Sequence, residues 1–368
     1  MTRFFWHEFR TAALVVGGLL TALAVVLAVT GVNLTHLYDL LVVDCRSAHD
    51  CSIAVGRFLT ADSQLQVALD VAVVAAPALI GVFWGAPLVA REMERQTFVL
   101  AWTQSVTRSR WLAAKLGVAG TCSVLSSALL SLMVTWWFRP IDLVNANPFS
   151  SFDARDLVPI GYAAFAFCLG VAAGALLRRT LPAMVSTLLA FAVVRVAVLE
   201  WVRPNLLAPL HRTVANATIA SLASLGSARA SGTSPGPNPG SITPAQLTPG
   251  QGGLPPSAWL LSDRTINAAG QTIGHNGLVG GGVSMWKVPG GHGLTIQGAG
   301  TCPGISVPGL PSGPEVQACV NALHIRDVLA FQPADRYWTL QGLETAIFLL
   351  LALALAGLTF YWIQRRAG

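Results

Sequence analysis

Six long apolar stretches dominate the pattern of hydrophobic and polar positions along this chain. A helix needs roughly 20 apolar residues to cross a bilayer core of about 30 Å. Lipid satisfies no backbone hydrogen bond, so each stretch is predicted to be a helix. The predicted spans are about 12–31, 67–89, 112–137, 157–177, 181–202 and 344–363. The pattern therefore predicts an all-α integral membrane protein with six transmembrane helices.

The polar segments between the spans predict the orientation. Placing both termini in the cytoplasm puts the following basic residues in short inner segments: Arg3, Arg10, Arg91, Arg95, Arg108, Arg110, Lys115, Arg178, Arg179, Arg365 and Arg366. Basic residues concentrated in short loops are typical of the cytoplasmic side. Spans one to five occupy 1–202, including an inner segment at 90–111. An extracytoplasmic region at 203–343 precedes the last span and a cytoplasmic tail at 344–368.

The large outer loop between helices five and six has a mixed composition. Its part from 231 to 256 is rich in Ser, Gly and Pro, which predicts a flexible or irregular linker. The Gly-rich part from 267 to 300 reads as loop with short strands. Residues 314–331 have apolar positions at helical spacing, which predicts a helix there. We expect a small cap rather than an independent domain.

Composition supports the membrane assignment. The chain is 53% hydrophobic and only 11% charged, whereas a soluble domain carries about a quarter charged residues. The net charge of +6 follows from the basic inner loops and does not indicate nucleic-acid binding. We therefore expect a multi-pass protein of the plasma membrane that contacts the lipid bilayer.

Catalytic motifs are missing from the sequence. Neither of the two lysines follows a glycine-rich phosphate-binding loop, and no G-x-S-x-G nucleophile turn occurs. The seven histidines are scattered, so no metal site is predicted. We expect no catalytic residue and no cofactor in this chain, and any energy source would lie in a partner.

Four ionisable residues fall within the predicted spans: Asp70, Arg195, Glu200 and Glu344. A charge inside a membrane is costly and usually faces the bundle interior or a partner. Two interpretations fit these four. They line a substrate or proton path, or they have a structural role, either in fixed ion pairs such as Arg195 with Glu344 or by reaching toward the outer surface.

Four cysteines fall in the predicted outer loops. Cys45 and Cys51 lie in the first loop, and Cys302 and Cys319 lie in the last. An oxidising exterior favours disulfides, and proximity suggests two local bridges. Four cysteines allow three connectivities, so the pairing stays a hypothesis.

The inner segment between spans two and three gathers an unusual number of charges. As one helix it would place Arg91 and Arg95 on the same face as Phe98 and Trp102. A break at Thr97, which can cap a new helix, separates them and predicts a short helix at 98–104. Such a helix is either a docking element for a partner or a turn whose tryptophans sit in headgroups.

The same segment resembles a motif of ABC exporter permeases of the six-span, type-2 class, "R-E-x-E-x-G-T-x-x-x-L-x-x-x-P-V-S-R-x-x-x-x-x-x-K". The matching positions are Arg91, Glu92, Glu94, Thr97, Val106, Thr107, Arg108 and Lys115. The chain departs from the motif at Gln96, Ala101 and Ser105. The last span, entered by "FQPADRYWTLQGLETAIF", resembles permeases common in high-GC actinobacteria.

The resemblance implies a transport subunit that pairs with a second permease copy and with cytosolic ABC ATPase subunits, which would bind ATP and Mg²⁺. It implies a coupling helix at 98–104 that contacts the ATPase. The residues implied in that contact are Glu92, Glu94, Thr97, Phe98, Trp102 and Arg108. An ion-coupled secondary transporter and a non-transporting membrane sensor or assembly protein are the alternative functions.

Overall fold

A computed structural model describes most of the chain. The described residues are 2–47, 51–95, 107–145, 147–215, 257–275, 283–288, 291–296, 300–305, 322–324 and 326–366. They form two compact units, one comprising Met1–Leu206 with Tyr337–Gly368 and the other comprising Leu207–Arg336.

The first unit is helical. Its α-helices are α1 (Thr2–Tyr38), α2 (Ser52–Ala61), α3 (Ser63–Ile80), α4 (Ala86–Arg95), α5 (Arg108–Asn145), α6 (Val158–Leu177), α7 (Thr180–Ala197) and α8 (Tyr337–Arg366). A π-helical turn, Gly81–Gly85, joins α3 to α4 without a break, and a 3₁₀ segment, Pro148–Ala154, precedes α6. Six helical segments of the described residues are long and apolar enough to cross a membrane, which confirms the six predicted spans.

The fourth span, α6, lies at the centre of this unit. In its most apolar window 61% of residues are buried, against 6% for the first span. Helix α6 therefore contacts protein on most sides, whereas the first span presents an apolar surface that suits lipid. Charged side chains lie near both ends of this central helix.

Close backbone contact between the second and fourth spans depends on glycine. A Cβ atom added at Gly170 on α6 would lie 2.3 Å from the carbonyl oxygen of Gly81 in the π-helical turn. Small residues allow two membrane helices to approach until their backbones touch. The second span is thus held against the centre of the bundle at about its midpoint.

The second unit contains seven strands in the described residues. They are β1 (Leu210–Ala215), β2 (Trp259–Ile266), β3 (Thr272–His275), β4 (Val283–Val288), β5 (Gly291–Ile296), β6 (Gly300–Ile305) and β7 (Arg326–Gln332). Strands β1-β7-β2-β3 form one antiparallel sheet, and β4-β5-β6 form another.

The helix predicted at 314–331 is wrong over its last part, because residues from Arg326 onward form β7. A short apolar run is compatible with either element. Pairing with β1 on one side and β2 on the other makes β7 a central strand, and this decides in favour of the strand. Residues 314–321, like the predicted linker at 231–256, lie outside the described part of the chain.

Two aspartates are buried in the four-stranded sheet. Asp263 on β2 is 7% exposed and Asp327 on β7 is 1% exposed. Asp263 pairs with Leu329, two residues beyond Asp327, so both carboxyl groups project from the same face. Burial, reinforced by the charge of Asp327, raises the pKa of Asp263 to about 6.

We expect Asp263→Asn to stabilise the second unit at neutral pH. The folded pKa of Asp263 lies above its value of 3.8 in the unfolded chain, so its contribution to stability is highest below about pH 4 and falls as the pH rises to about 6. Removing the ionisation should add about 2 kcal/mol at pH 7 and much less at pH 4. Hydrogen-exchange protection of β2 in the full-length chain measures this, with exposed Asp335→Asn as the control. An equal gain at both pH values would contradict the expectation.

Candidate functional site

A cluster of charged side chains lies in the helical unit, at the end of α6 that includes Tyr162. We call Asp153, Tyr162, Arg195, Arg203 and Glu344 the charged cluster. Arg203 donates to Glu344 from Nε to Oε2 at 2.7 Å and from Nη2 to Oε1 at 2.8 Å. The same guanidinium donates from Nη1 to Asp153 Oδ2 at 3.2 Å, and its Nη2 also contacts Asp153. Arg203 therefore bridges two carboxylates.

Tyrosine and a second arginine complete the charged cluster. The Tyr162 hydroxyl lies 3.0 Å from Asp153 Oδ1 and also contacts Glu344. Arg195 Nη2 lies 3.5 Å from Asp153, and its guanidinium stacks over the Tyr162 ring at 4.2 Å. Two arginines thus balance two carboxylates, which allows Glu344 to be fully buried.

The pairing differs from the example suggested by the sequence, in which Arg195 pairs with Glu344. Glu344 pairs instead with Arg203, and Arg195 pairs with Asp153. Arg203 and Asp153 lie just outside the predicted spans, so a search for charges within spans missed them. Their positions along the chain could have revealed them. Asp153 precedes the fourth predicted span and Arg203 follows the fifth, so both lie at the same predicted membrane face.

The other two predicted intramembrane charges have different surroundings. Asp70 on α3 lies near the Ser151 side chain and near Arg155. Its Oδ1 atom has no hydrogen-bond partner among the described residues. Glu200 is exposed. The structure therefore brings Arg195 and Glu344 into one cluster, places Asp70 beside it and leaves Glu200 on the surface.

A buried amide holds the start of α6 next to this cluster. Gln341 of α8 is fully buried, and its Oε1 accepts from the backbone N–H groups of Leu157 at 3.2 Å and Val158 at 3.0 Å. Its Nε2 donates to the Phe152 carbonyl at 2.9 Å. The first N–H groups of a helix lack partners within the helix, so Gln341 satisfies them from another element. Together with Glu344, it ties α8 to α6.

The opposite end of the second span carries a largely buried ion pair, in which the Glu92 side chain is 20% exposed. Lys115 of α5 contacts Glu92 of α4, and its Nζ donates to the Leu88 carbonyl at 3.2 Å. The ammonium group lies 4.9 Å from the centre of the Trp111 ring, and the lysine side chain is 3% exposed. This pair joins the two helices on either side of residues 96–106.

A second contact at this end joins α4 to the fifth span. Glu94 Oε2 accepts from the backbone N–H of Thr180 at 3.1 Å and from its hydroxyl at 2.8 Å. Thr180 is the first residue of α7, so Glu94 satisfies an N–H group at a helix start. The resemblance assigned Glu92 and Glu94 to the same ATPase contact, and within this chain the structure gives them different partners.

Three predicted contact residues, Thr97, Phe98 and Trp102, lie outside the described residues. Arg108 is the first residue of α5. The predicted helix at 98–104 and its roles therefore remain predictions. The helices on both sides of the predicted helix are among the described residues, and the Glu92–Lys115 pair joins α4 to α5.

One predicted disulfide is present. Cys45 and Cys51 are bonded, which confirms the first suggested pair. Cys302 lies in β6 with its side chain outside the described part, and Cys319 is not among the described residues. Within the described ranges no three metal-ligating side chains converge.

Comparison with known families agrees with the resemblance of the inner segment. A model for proteins described as ABC-2 membrane transporter related matches residues 17–203, just over half of the chain and nearly all of the first five spans. Comparisons with curated proteins and with solved structures give no match. The matched range includes both the Glu92–Lys115 pair and four of the five residues of the charged cluster. This multi-pass membrane protein therefore belongs to the ABC-2 membrane transporter related family.

Proposed function

We propose that this chain is the membrane-embedded permease subunit of an ABC exporter, driven by ATP hydrolysis in a separate ATPase subunit. The family match over residues 17–203 is the observation that carries the proposal. The ion pair between α4 and α5 adds support. If a partner moves the segment between these helices, a rigid attachment passes the movement on to the spans. ATP and Mg²⁺ would be held by the partner.

The proposed orientation places both termini and residues 96–106 in the cytoplasm of a plasma membrane. The Cys45–Cys51 disulfide follows the first span, at the predicted outer side, and disulfides persist in oxidising compartments. The charged cluster, which includes Glu344 at the start of the last predicted span, would then lie near the outer face. Asp70 and Glu94 are separated by 24 helical steps, about 36 Å, enough to span the bilayer core.

In the proposed mechanism, nucleotide-driven closure of the ATPase pushes the predicted coupling helix at 98–104. Its contact residues would be Phe98 and Trp102, with Glu92, Glu94, Thr97 and Arg108 supporting them. The push passes through α4 and α5 into spans two and three. Two permease copies, each with six spans, would alternate between openings to the two sides of the membrane.

The charged cluster is the observation that favours a second candidate, an ion-coupled secondary transporter. Buried ionisable groups within membrane helices often mark ion pathways. In this chain, however, Arg195 and Arg203 are matched by Asp153 and Glu344 within the cluster. The two candidates differ in their energy source: vanadate stops transport by an ABC exporter, whereas dissipating the proton gradient stops an ion-coupled transporter.

We expect Trp102→Ala to abolish most of the stimulation that this chain gives to its proposed partner ATPase. A tryptophan at the centre of an interface commonly contributes about 2 kcal/mol or more, so stimulation should fall by at least about tenfold. ATP hydrolysis of the co-purified complex in lipid nanodiscs measures this. Trp201→Ala, which removes an exposed tryptophan from the fifth span, is the control. Normal stimulation by the Trp102 variant would contradict the proposed docking site.

A further inference from the structure

Helix α4 is attached on two sides by two glutamates that differ in their surroundings. Glu92 and Glu94 are two positions apart, which places them about 200° apart around the helix axis. Glu92 accordingly reaches Lys115 on α5, whereas Glu94 reaches Thr180 on α7. The two acids therefore connect α4 to different transmembrane helices.

The Glu92 connection is mostly enclosed by protein, with 20% of the Glu92 side chain exposed. Its partner Lys115 has 3% of its side chain exposed and also donates to the Leu88 carbonyl. Separating the two would leave a buried ammonium group without its carboxylate, which is strongly unfavourable. Helices α4 and α5 are thus expected to move as one body.

The Glu94 connection is open to solvent. Both hydrogen bonds to Thr180 are exposed, so water can replace them at little cost. A cavity of about 710 Å³, lined by residues 93–94 and 178–182, lies against the same contact. The end of α4 at Glu94 therefore has room to move on the side of the cavity, while one turn further along α7 the buried Ala183 packs against Ala86 and Ala90 of α4.

We propose that the Glu94–Thr180 contact is the releasable connection of this permease: it opens and closes during each ATPase cycle, while the Glu92–Lys115 pair stays closed. The inference rests on the proposed function. It makes Glu94 a positioning residue, which holds the start of the fifth span in the resting state and frees it when α4 moves into the cavity. It also assigns different roles to two acids that belong to one motif.

A reversible crosslink tests the proposal on the full-length chain in complex with its ATPase. Glu94→Cys with Thr180→Cys, in a background with Cys122 and Cys168 replaced by alanine, is joined by a short bis-methanethiosulfonate reagent. We expect crosslinking to reduce stimulated ATP hydrolysis to the level of the ATPase alone, and reduction to restore it. The matched control joins Glu92→Cys to Lys115→Cys, which removes both charges together, and the stimulation that this double variant gives before crosslinking should be the same after crosslinking.

Two results of this experiment would overturn the proposal. Full stimulation with position 94 fixed to position 180 would show that the contact does not need to open. Loss of stimulation with position 92 fixed to position 115 would show that both connections must open, which removes the proposed difference. If the unmodified chain neither binds nor stimulates the ATPase, the proposed function fails first and this inference fails with it.

A labelling measurement covers the case in which the crosslinked pair does not form. Thr180→Cys alone should react several-fold faster with a water-soluble maleimide in the ATP–vanadate state than in the ADP state. Leu181→Cys, where the native side chain is already 75% exposed, should react at the same rate in both states. A reaction rate at position 180 that is independent of nucleotide would overturn the proposal while leaving ATPase stimulation, and hence the proposed function, intact.

Discussion

Glu344→Leu is expected to lower the free energy of unfolding of the helical unit by about 3 to 5 kcal/mol. The carboxylate is fully buried and receives two hydrogen bonds from Arg203. Leucine removes the negative charge and leaves Arg203, itself buried, with Asp153 as its remaining charged partner in the cluster. The loss is large because a guanidinium cannot lose its proton to escape burial.

Unfolding of the detergent-solubilised chain, followed by circular dichroism, measures this loss. Glu200→Leu is the matched control, because Glu200 is exposed and substitution there should change stability by less than about 0.5 kcal/mol. The double variant Glu344→Leu with Arg203→Leu should recover part of the stability, since both charges of the pair are removed together. If Glu344→Leu and Glu200→Leu were equally stable, this result would contradict the buried ion pair between Glu344 and Arg203.

Gly170→Ala is expected to destabilise the same unit by about 3 kcal/mol. The added methyl group would lie 2.3 Å from the Gly81 carbonyl oxygen and 2.7 Å from the Ala86 nitrogen. Both are backbone atoms, so relief requires the second and fourth spans to separate along their contact. This cost exceeds the gain of about 1 kcal/mol that alanine brings to a helix.

The control for this prediction is Gly117→Ala on α5. A Cβ atom there would have no neighbour within 4 Å, so only the helix-forming advantage of alanine remains. We expect this variant to be as stable as the wild type or slightly more stable, in the same unfolding measurement. A Gly170 variant that matches the Gly117 variant would show that the two spans do not touch at this point.

The six spans were predictable because lipid makes a demand that is local in sequence. Each span needs about 20 consecutive apolar residues, and a single window of sequence reveals whether they are present. The Cys45–Cys51 disulfide was predictable for a similar reason, since the two residues are only six positions apart in the sequence. The strand at Arg326–Gln332 was not predictable in this way, because its partners β1 and β2 come from distant parts of the chain.

The charged cluster shows where sequence reasoning stops. Charges at 195 and 344 are visible within apolar spans, but nothing local indicates which opposite charge each one meets. Arg203 and Glu344 are separated by 141 positions, and they meet because α7 and α8 both pack against α6. Charge pairing in a membrane bundle is decided by helix packing, since an unpaired buried charge is too costly to persist.

The sequence by itself determined that this chain has six segments long and apolar enough to span a membrane and that its charges concentrate between the second and third of them. It also carried the motif that points to ABC permeases. The tertiary structure decided what the individual charges do: Glu92 is mostly enclosed with Lys115, whereas Glu94 holds the exposed start of α7. This division has a physical reason. Insertion of a segment into a membrane depends on transfer free energies that are summed along the chain. The role of a glutamate depends on which distant atoms surround it.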